Sequence, residues 1–196
     1  VEEMLAHHLS LRQIRQRVIN LNAHPLPATG TIVEDFITGL GFTLTGDQQS
    51  ALDVISDDLG KDNPMMRLLQ GDVGCGKTVV AAAAALQAIS AGHQAALMAP
   101  TELLAEQHRD NFARWLKPLG IEMVWLSGSL KAQAKQHAYE AIATGTAQLI
   151  VGTHALFQEG VEYAKLALVI VDEQHRFGVH QRLSLMAKGG NDTLRP

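Results

Sequence analysis

From Thr45 onward, short apolar runs alternate with longer amphipathic stretches, the order that a parallel sheet wrapped by helices produces. The apolar runs predict strands at residues 65–69, 95–98, 121–126, 148–151 and 166–171. Between them, helical spacing predicts helices at 48–59, 78–91, 102–116, 131–143 and 179–188. Five consecutive alanines, Ala81 to Ala85, suit a helix lying close on a sheet, and Thr101 suits the N-cap of the helix that follows it. Upstream, Leu5, Leu9, Leu11, Ile14, Val18 and Leu21 recur at helical spacing with Arg12, Arg15 and Arg17 between them, which predicts an amphipathic helix over 2–21. Two prolines and Gly30 in residues 22–30 mark an irregular connector. The chain therefore divides into a linker helix and connector at 1–43 and an α/β domain at 44–196. Its expected fold is a doubly wound parallel sheet with an N-terminal helical linker, ligands meeting it at the carboxyl ends of the strands.

Glycines and polar residues collect at those strand ends. Gly71-Asp-Val-Gly-Cys-Gly-Lys-Thr78 satisfies the G-x-x-x-x-G-K-[ST] pattern between a predicted strand and a predicted helix. Gly71, Gly74 and Gly76 free the backbone to turn its N–H groups toward phosphate oxygens, with Asp72, Val73 and Cys75 completing the loop. Lys77 then reaches the β- and γ-phosphates, the Thr78 hydroxyl suits Mg²⁺, and the helix start adds its positive dipole end. The alternative is a glycine-rich turn without ligand; strand before and helix after favour a nucleotide.

The run Leu166-Ala-Leu-Val-Ile-Val171 ends abruptly in Asp172-Glu173. If that strand end adjoins the phosphate loop, Asp172 holds Mg²⁺ as a Walker-B aspartate does and Glu173 orients or deprotonates the attacking water. Pro100-Thr101, Ser127-Gly128 and Gly152-Thr153 close other strands on the same predicted edge.

Composition changes this picture little. With 196 residues and 46% hydrophobic content the chain can bury a sizeable core, and no stretch approaches the roughly 20 apolar residues needed to span a bilayer. The N-terminus lacks the basic-then-apolar order of a secretory signal, and a single cysteine, Cys75, excludes an internal disulfide framework, so a cytoplasmic location is expected. A formal net charge of −4 gives no sign of a nucleic-acid partner, although backbone N–H groups can hold phosphates without many lysines. His175 and His180 lack a partner at metal-ligand spacing, which argues against zinc. Cys75, beside Lys77 and a helix start, is either a reactive thiol or a small filler of the loop.

Taken in order, Gly71 to Thr78, Ala99-Pro-Thr-Glu-Leu-Leu-Ala-Glu-Gln-His108, Gly152-Thr-His154 and Asp172-Glu-Gln-His175 closely resemble the first motor domain of a superfamily 2 helicase, a RecA-like fold. The continuation Arg176-Phe-Gly-Val-His-Gln-Arg182 resembles the bacterial translocases that remodel branched DNA. Transcription-repair coupling translocases share most of the pattern but typically carry a second Glu where this chain has Gln174.

The resemblance implies ATP and Mg²⁺ as cofactors, with duplex or branched DNA (forks, Holliday junctions) as partner and no membrane. It implies that Gln48 reads adenine, for which an amide that both donates and accepts is suited; the alternative is a polar residue on a helix surface. It implies that Pro100, Thr101, Glu102 and Gln107, with Gly152, Thr153 and His154, face the DNA backbone. Gln174, His175, Arg176, Phe177, Gln181 and Arg182 would couple nucleotide state to DNA and to neighbouring domains. No Thr/Ser-Ala-Thr motif or second motor domain occurs in the sequence, and of a junction-binding region only the linking helix over 2–21 is a candidate, so the chain by itself is expected to bind nucleotide and to hydrolyse it poorly. A nucleotide-dependent switch without motor output is the competing expectation.

Overall fold

A computed structural model describes residues 23–158 and 160–173. The helices expected at 2–21 and 179–188 lie outside the described residues, as do Gln174, His175, Arg176, Phe177, His180, Gln181 and Arg182. The elements in chain order are α1 (Ile32–Gly39), α2 (Gly46–Leu59), α3 (Lys77–Ser90), β1 (Gln94–Met98), α4 (Glu102–Leu116), a 3₁₀ turn (Lys117–Leu119), β2 (Met123–Leu126), α5 (Ala132–Ala143), β3 (Leu149–Gly152), a second 3₁₀ turn (His154–Phe157) and β4 (Leu166–Val171).

The four strands pair in the order β2-β3-β1-β4, and every pairing is parallel. All five residues of β1 are buried, as a central strand covered on both faces requires. Alternate residues feed two cores. Ala95, Leu97, Leu149, Val151 and Leu168 join α1, α2, α3 and the Phe112–Leu116 end of α4 on one face. Met98, Leu126 and Ile150 join Ala138 and Ile142 of α5 on the other. Helices on both faces of a parallel sheet make the doubly wound fold expected from the sequence. The alanine run lies wholly inside α3, where Ala82 and Ala85 are fully buried, and the small side chains let the helix sit between the sheet and α1–α2.

Two segments differ from the sequence reading. Residues 65–69 form no strand. The two-residue alternation is real, since Met65 and Leu69 pack on the core while Met66 and Leu68 are exposed, but the backbone enters no ladder. The Arg67 guanidinium instead pairs with Asp58 of α2, its Nε 2.9 Å from Oδ2. The segment is thereby tied to a helix rather than to a neighbouring strand. In turn, part of the expected connector is built into the body of the fold. Leu26 is buried, Leu26 N–H donates to the Leu59 carbonyl, Gln87 Nε2 donates to the Leu26 carbonyl at 2.7 Å, and α1 buries Phe36.

Candidate nucleotide and nucleic-acid site

The phosphate loop runs from Gly71 to the first turn of α3. Gly74 and Gly76 both take a φ of 84°, a left-handed conformation that L side chains rarely adopt, and Gly76 serves as the N-cap of α3. Gly71 differs: a Cβ there would lie 2.7 Å from Cys75 Sγ, so a side chain at this position would have to push the exposed thiol aside. Lys77 folds back over its own loop, its Nζ donating to the Gly71 carbonyl at 2.7 Å and the Asp72 carbonyl at 2.9 Å. Cys75 is exposed, with its Sγ 3.9 Å from that ammonium.

Gln48 braces the loop from α2. Thr45 and Gln48 form a capping box: Gln48 N–H donates to Thr45 Oγ1 at 3.3 Å and Thr45 N–H donates to Gln48 Oε1 at 2.9 Å. The other end of the amide, Nε2, donates to the Cys75 carbonyl at 2.8 Å. Both halves of the Gln48 amide are thus engaged by the protein, one by the cap and one by the phosphate loop. Beside it opens a shallow, solvent-open cleft of about 490 Å³ lined by Ile37, Gly41, Phe42, Leu44, Thr45 and Gln49. Phe42, half exposed, was not singled out by the sequence reading; an aromatic a few residues before a capped helix carries no signal of its own until the fold sets it in the wall of this cleft.

Asp172 stands at the carboxyl end of β4, where its N–H donates to the Met98 carbonyl at 2.8 Å and holds the chain in register with β1. Its carboxyl is held below the usual carboxylate range, first by the hydrogen bond from His108, with smaller help from the Glu173 N–H and the charge of Lys77; partial burial opposes them. Glu173 follows at a φ of 50°, and among the described residues it is the sole non-glycine in that left-handed region, the kind of local strain that concentrates at functional sites. An ionised carboxylate and the half-buried hydroxyl-bearing Thr78 form a donor set that fits Mg²⁺. That ion binds through one or two protein oxygens together with phosphate and water rather than in a closed protein cage.

The second partner of Asp172 was missed in the sequence. His108 Nε2 lies 2.7 Å from Asp172 Oδ2, in a partly buried contact between α4 and β4. His108 belongs to the 99–108 block quoted above, yet only the parallel topology brings it under a residue far along the chain.

The expected nucleic-acid residues lie at the same sheet edge. Thr101 caps α4, its Oγ1 accepting from Leu104 N–H at 3.3 Å, and Thr101, Glu102 and Gln107 are exposed. Glu102 accepts from Ser129 N–H at 3.3 Å, tying the start of α4 to the loop after β2. Gly152 is needed for packing, because a Cβ there would collide with the Leu126 carbonyl of β2. His154 is exposed, but Thr153 departs from expectation: it is buried, and its hydroxyl does not stand at the surface to meet a phosphate. The tight Gly152–Leu126 approach draws the residue after it into the core.

A family model described as DEAD/DEAH box helicase matches residues 45–192. The chain belongs to the DEAD/DEAH box helicase family. Within it, the chain is 55% identical over 196 residues to the ATP-dependent DNA helicase RecG of Escherichia coli K12, which covers all of this chain and 28% of that protein. It is 56% identical over 188 residues to RecG of Haemophilus influenzae, covering 96% of this chain and 27% of that one. The chain thus spans little more than a quarter of the length of these relatives. A solved structure of RecG bound to a three-way DNA junction superposes with a TM-score of 0.82 at 40% identity, over 90% of this chain and 24% of that chain. The superposition bears out the RecA-like helicase fold expected from the sequence. Among the described residues no helix is long and apolar enough to cross a membrane.

Proposed function

We propose that this chain is the ATP-binding motor domain of an ATP-dependent DNA helicase. In this reading it works in the cytoplasm, where ATP cycles drive movement on duplex DNA and remodel forks and Holliday junctions. The observation that carries the reading is the phosphate loop from Gly71 to Thr78, with left-handed Gly74 and Gly76 leading into α3, together with Asp172 at the carboxyl end of β4. Similarity to RecG over the whole chain supplies the DNA partner.

In this reading the polyphosphate takes the loop N–H groups between Gly71 and Thr78 and draws the Lys77 ammonium away from the Gly71 and Asp72 carbonyls. Thr78 and Asp172 would hold Mg²⁺, which would supply positive charge against the phosphates. Glu173, on its strained turn beside Asp172, orients the water. The base enters the cleft beside Phe42 and Gln48; for Gln48 to read adenine, its amide must release the Cys75 carbonyl, so base recognition and loop conformation share one side chain. Pro100, Thr101, Glu102, Gln107, Gly152 and His154 form the edge offered to a DNA backbone, Thr101 through the N-terminal end of α4.

The test is titration calorimetry of Mg²⁺·ATP against the chain and its Lys77→Ala variant, repeated with a three-way DNA junction present. Loss of a charge-assisted contact worth about 1.5–3 kcal/mol weakens binding by at least tenfold. Junction DNA changes the affinity of the unaltered chain. Equal affinity in both proteins removes the phosphate-site assignment, and an affinity indifferent to DNA favours a nucleotide switch over a motor.

A further inference from the structure

Asp172 has two carboxylate oxygens and the structure spends one acceptor position on each: Oδ1 accepts from Glu173 N–H at 2.9 Å and Oδ2 from His108 Nε2 at 2.7 Å. Because an ionised carboxylate only accepts, the proton in the second bond belongs to His108 Nε2. In the neutral ring Nδ1 is then left as an acceptor, and this atom is buried without a hydrogen-bond partner among the described residues. Leaving a buried polar atom unpaired costs free energy, so the ring is not where it is for its own satisfaction. Its orientation is set by α4 and by the edge-to-face contact with Phe112, ring centroids 6.5 Å apart at 74°. The imidazole is therefore a rigid donor aimed at a single carboxylate oxygen.

We propose that His108 is a positioning residue for Asp172: it fixes the carboxylate so that its remaining lone pairs are committed to the metal–nucleotide complex, and it links that complex mechanically to helix α4. The proposal rests on the reading of Asp172 as a metal ligand. Side chains that hold metal-binding carboxylates commonly govern metal affinity by 10–100-fold without touching the ion. The location adds a second consequence. Thr101 caps α4 at the edge offered to DNA, and His108 stands seven residues further along the same helix, roughly 10 Å at the helical rise. A helix transmits an axial or rotational shift between those points with little loss, so a ligand that moves the α4 N-terminus moves the hydrogen bond to Asp172.

The experiment measures ATP affinity with Mg²⁺ and with EDTA, on the unaltered chain and on three variants, together with the urea midpoint of each. Phenylalanine in His108→Phe keeps the ring bulk and removes the donor. Glutamine in His108→Gln places an amide donor near the position of Nε2. Asparagine in His108→Asn places its amide near Nδ1, out of reach of Asp172, and gives the same readout as the Phe variant should that one not fold. The expected result is a metal-dependent gain in affinity that falls about 10–100-fold in His108→Phe and His108→Asn, returns to within a few-fold in His108→Gln, and leaves the EDTA affinity unmoved. A merely structural His108 would lower the urea midpoint and both affinities alike, which overturns the proposal.

Asp172→Asn separates the two readings. If it abolishes the metal-dependent gain while His108→Phe and His108→Asn retain it, Asp172 is the ligand and the positioning role is wrong. If Asp172→Asn also keeps the gain, the ligand assignment fails and the proposal falls with it. The coupling is read by adding junction DNA: the shift it causes in Mg²⁺·ATP affinity persists in His108→Gln and is lost in His108→Phe. A full-sized shift in His108→Phe overturns the mechanical link.

Discussion

Gly76→Ala isolates the contact between the capped helix α2 and the phosphate loop. Two costs arise from the geometry. At a φ of 84° and ψ of 21° an L-residue is strained by about 1–2 kcal/mol, and the new Cβ would collide with Gln48 Nε2. The amide is the free end of a flexible side chain, so it swings away, breaking its bonds to the Cys75 carbonyl and to Thr45 N–H. Both bonds are exposed and belong at the low end of 0.5–1.5 kcal/mol, roughly 1 kcal/mol together, which brings the total to about 2–3 kcal/mol. In a Gln48→Ala background those bonds are already gone and there is nothing to strike, so Gly76→Ala costs only the backbone strain. Urea unfolding of the four proteins should return a coupling of about 1 kcal/mol between the two sites. Additivity to within about 0.3 kcal/mol would refute the brace, and a Gly76→Ala variant as stable as the parent would refute the left-handed cap.

Three further outcomes follow from the packing and the cleft. Gly152→Ala forces a methyl group against the Leu126 carbonyl in a paired backbone that cannot swing aside, so its unfolding free energy in urea falls by about 1–3 kcal/mol, as overpacking does, unlike Gly128→Ala, which meets open space. Phe42→Ala removes a stacking surface worth about 1–3 kcal/mol per base, lowering ATP affinity about 5- to 150-fold while leaving triphosphate affinity unchanged; equal losses for both would place the base elsewhere. Burial, then the charges of His24 and Lys165, hold His93 below its ordinary 6.5, so the unfolded chain takes up a proton that the folded one refuses. Its contribution is complete above pH 6.5 and is lost as pH falls through the depressed value; His93→Gln should flatten the stability profile in that window, and an unchanged slope in urea midpoints would assign it to another group.

Much of the site was legible because its chemistry is local in sequence: glycines, Lys77 and Thr78 lie within one turn, and Asp172-Glu173 abruptly ends an apolar run. The β1 and β4 runs were legible because strands of a covered parallel sheet are nearly continuous apolar stretches, here Ala95 to Met98 and Leu166 to Val171. What stayed hidden depends on approach through space. His108 and Asp172 meet only because β1 and β4 pair in parallel, Met98 beside Val171, which sets the first turns of α4 next to the β4 end. Helix α1 was obscured by the prolines before it, although Ile32, Val33, Phe36 and Ile37 already carry a helical stripe. Residues 65–69 show the reverse case, in which a correct alternation meets an ion pair to Asp58 instead of a ladder. Thr153 shows that a hydroxyl at a strand end says nothing about which way the next turn carries it.

The inward fold of Lys77 makes nucleotide capture an exchange rather than an addition. An arriving anion must displace the Gly71 and Asp72 carbonyls from the ammonium before it gains that charge. Orthophosphate offers a single tetrahedral group to do so, and its contacts with the loop come at the expense of those two bonds. A triphosphate can seat one group among the loop N–H donors while another recruits the lysine, so the exchange becomes intramolecular once the first group has landed. On the proposed reading the self-occupied loop acts as a length filter, favouring a triphosphate over free phosphate.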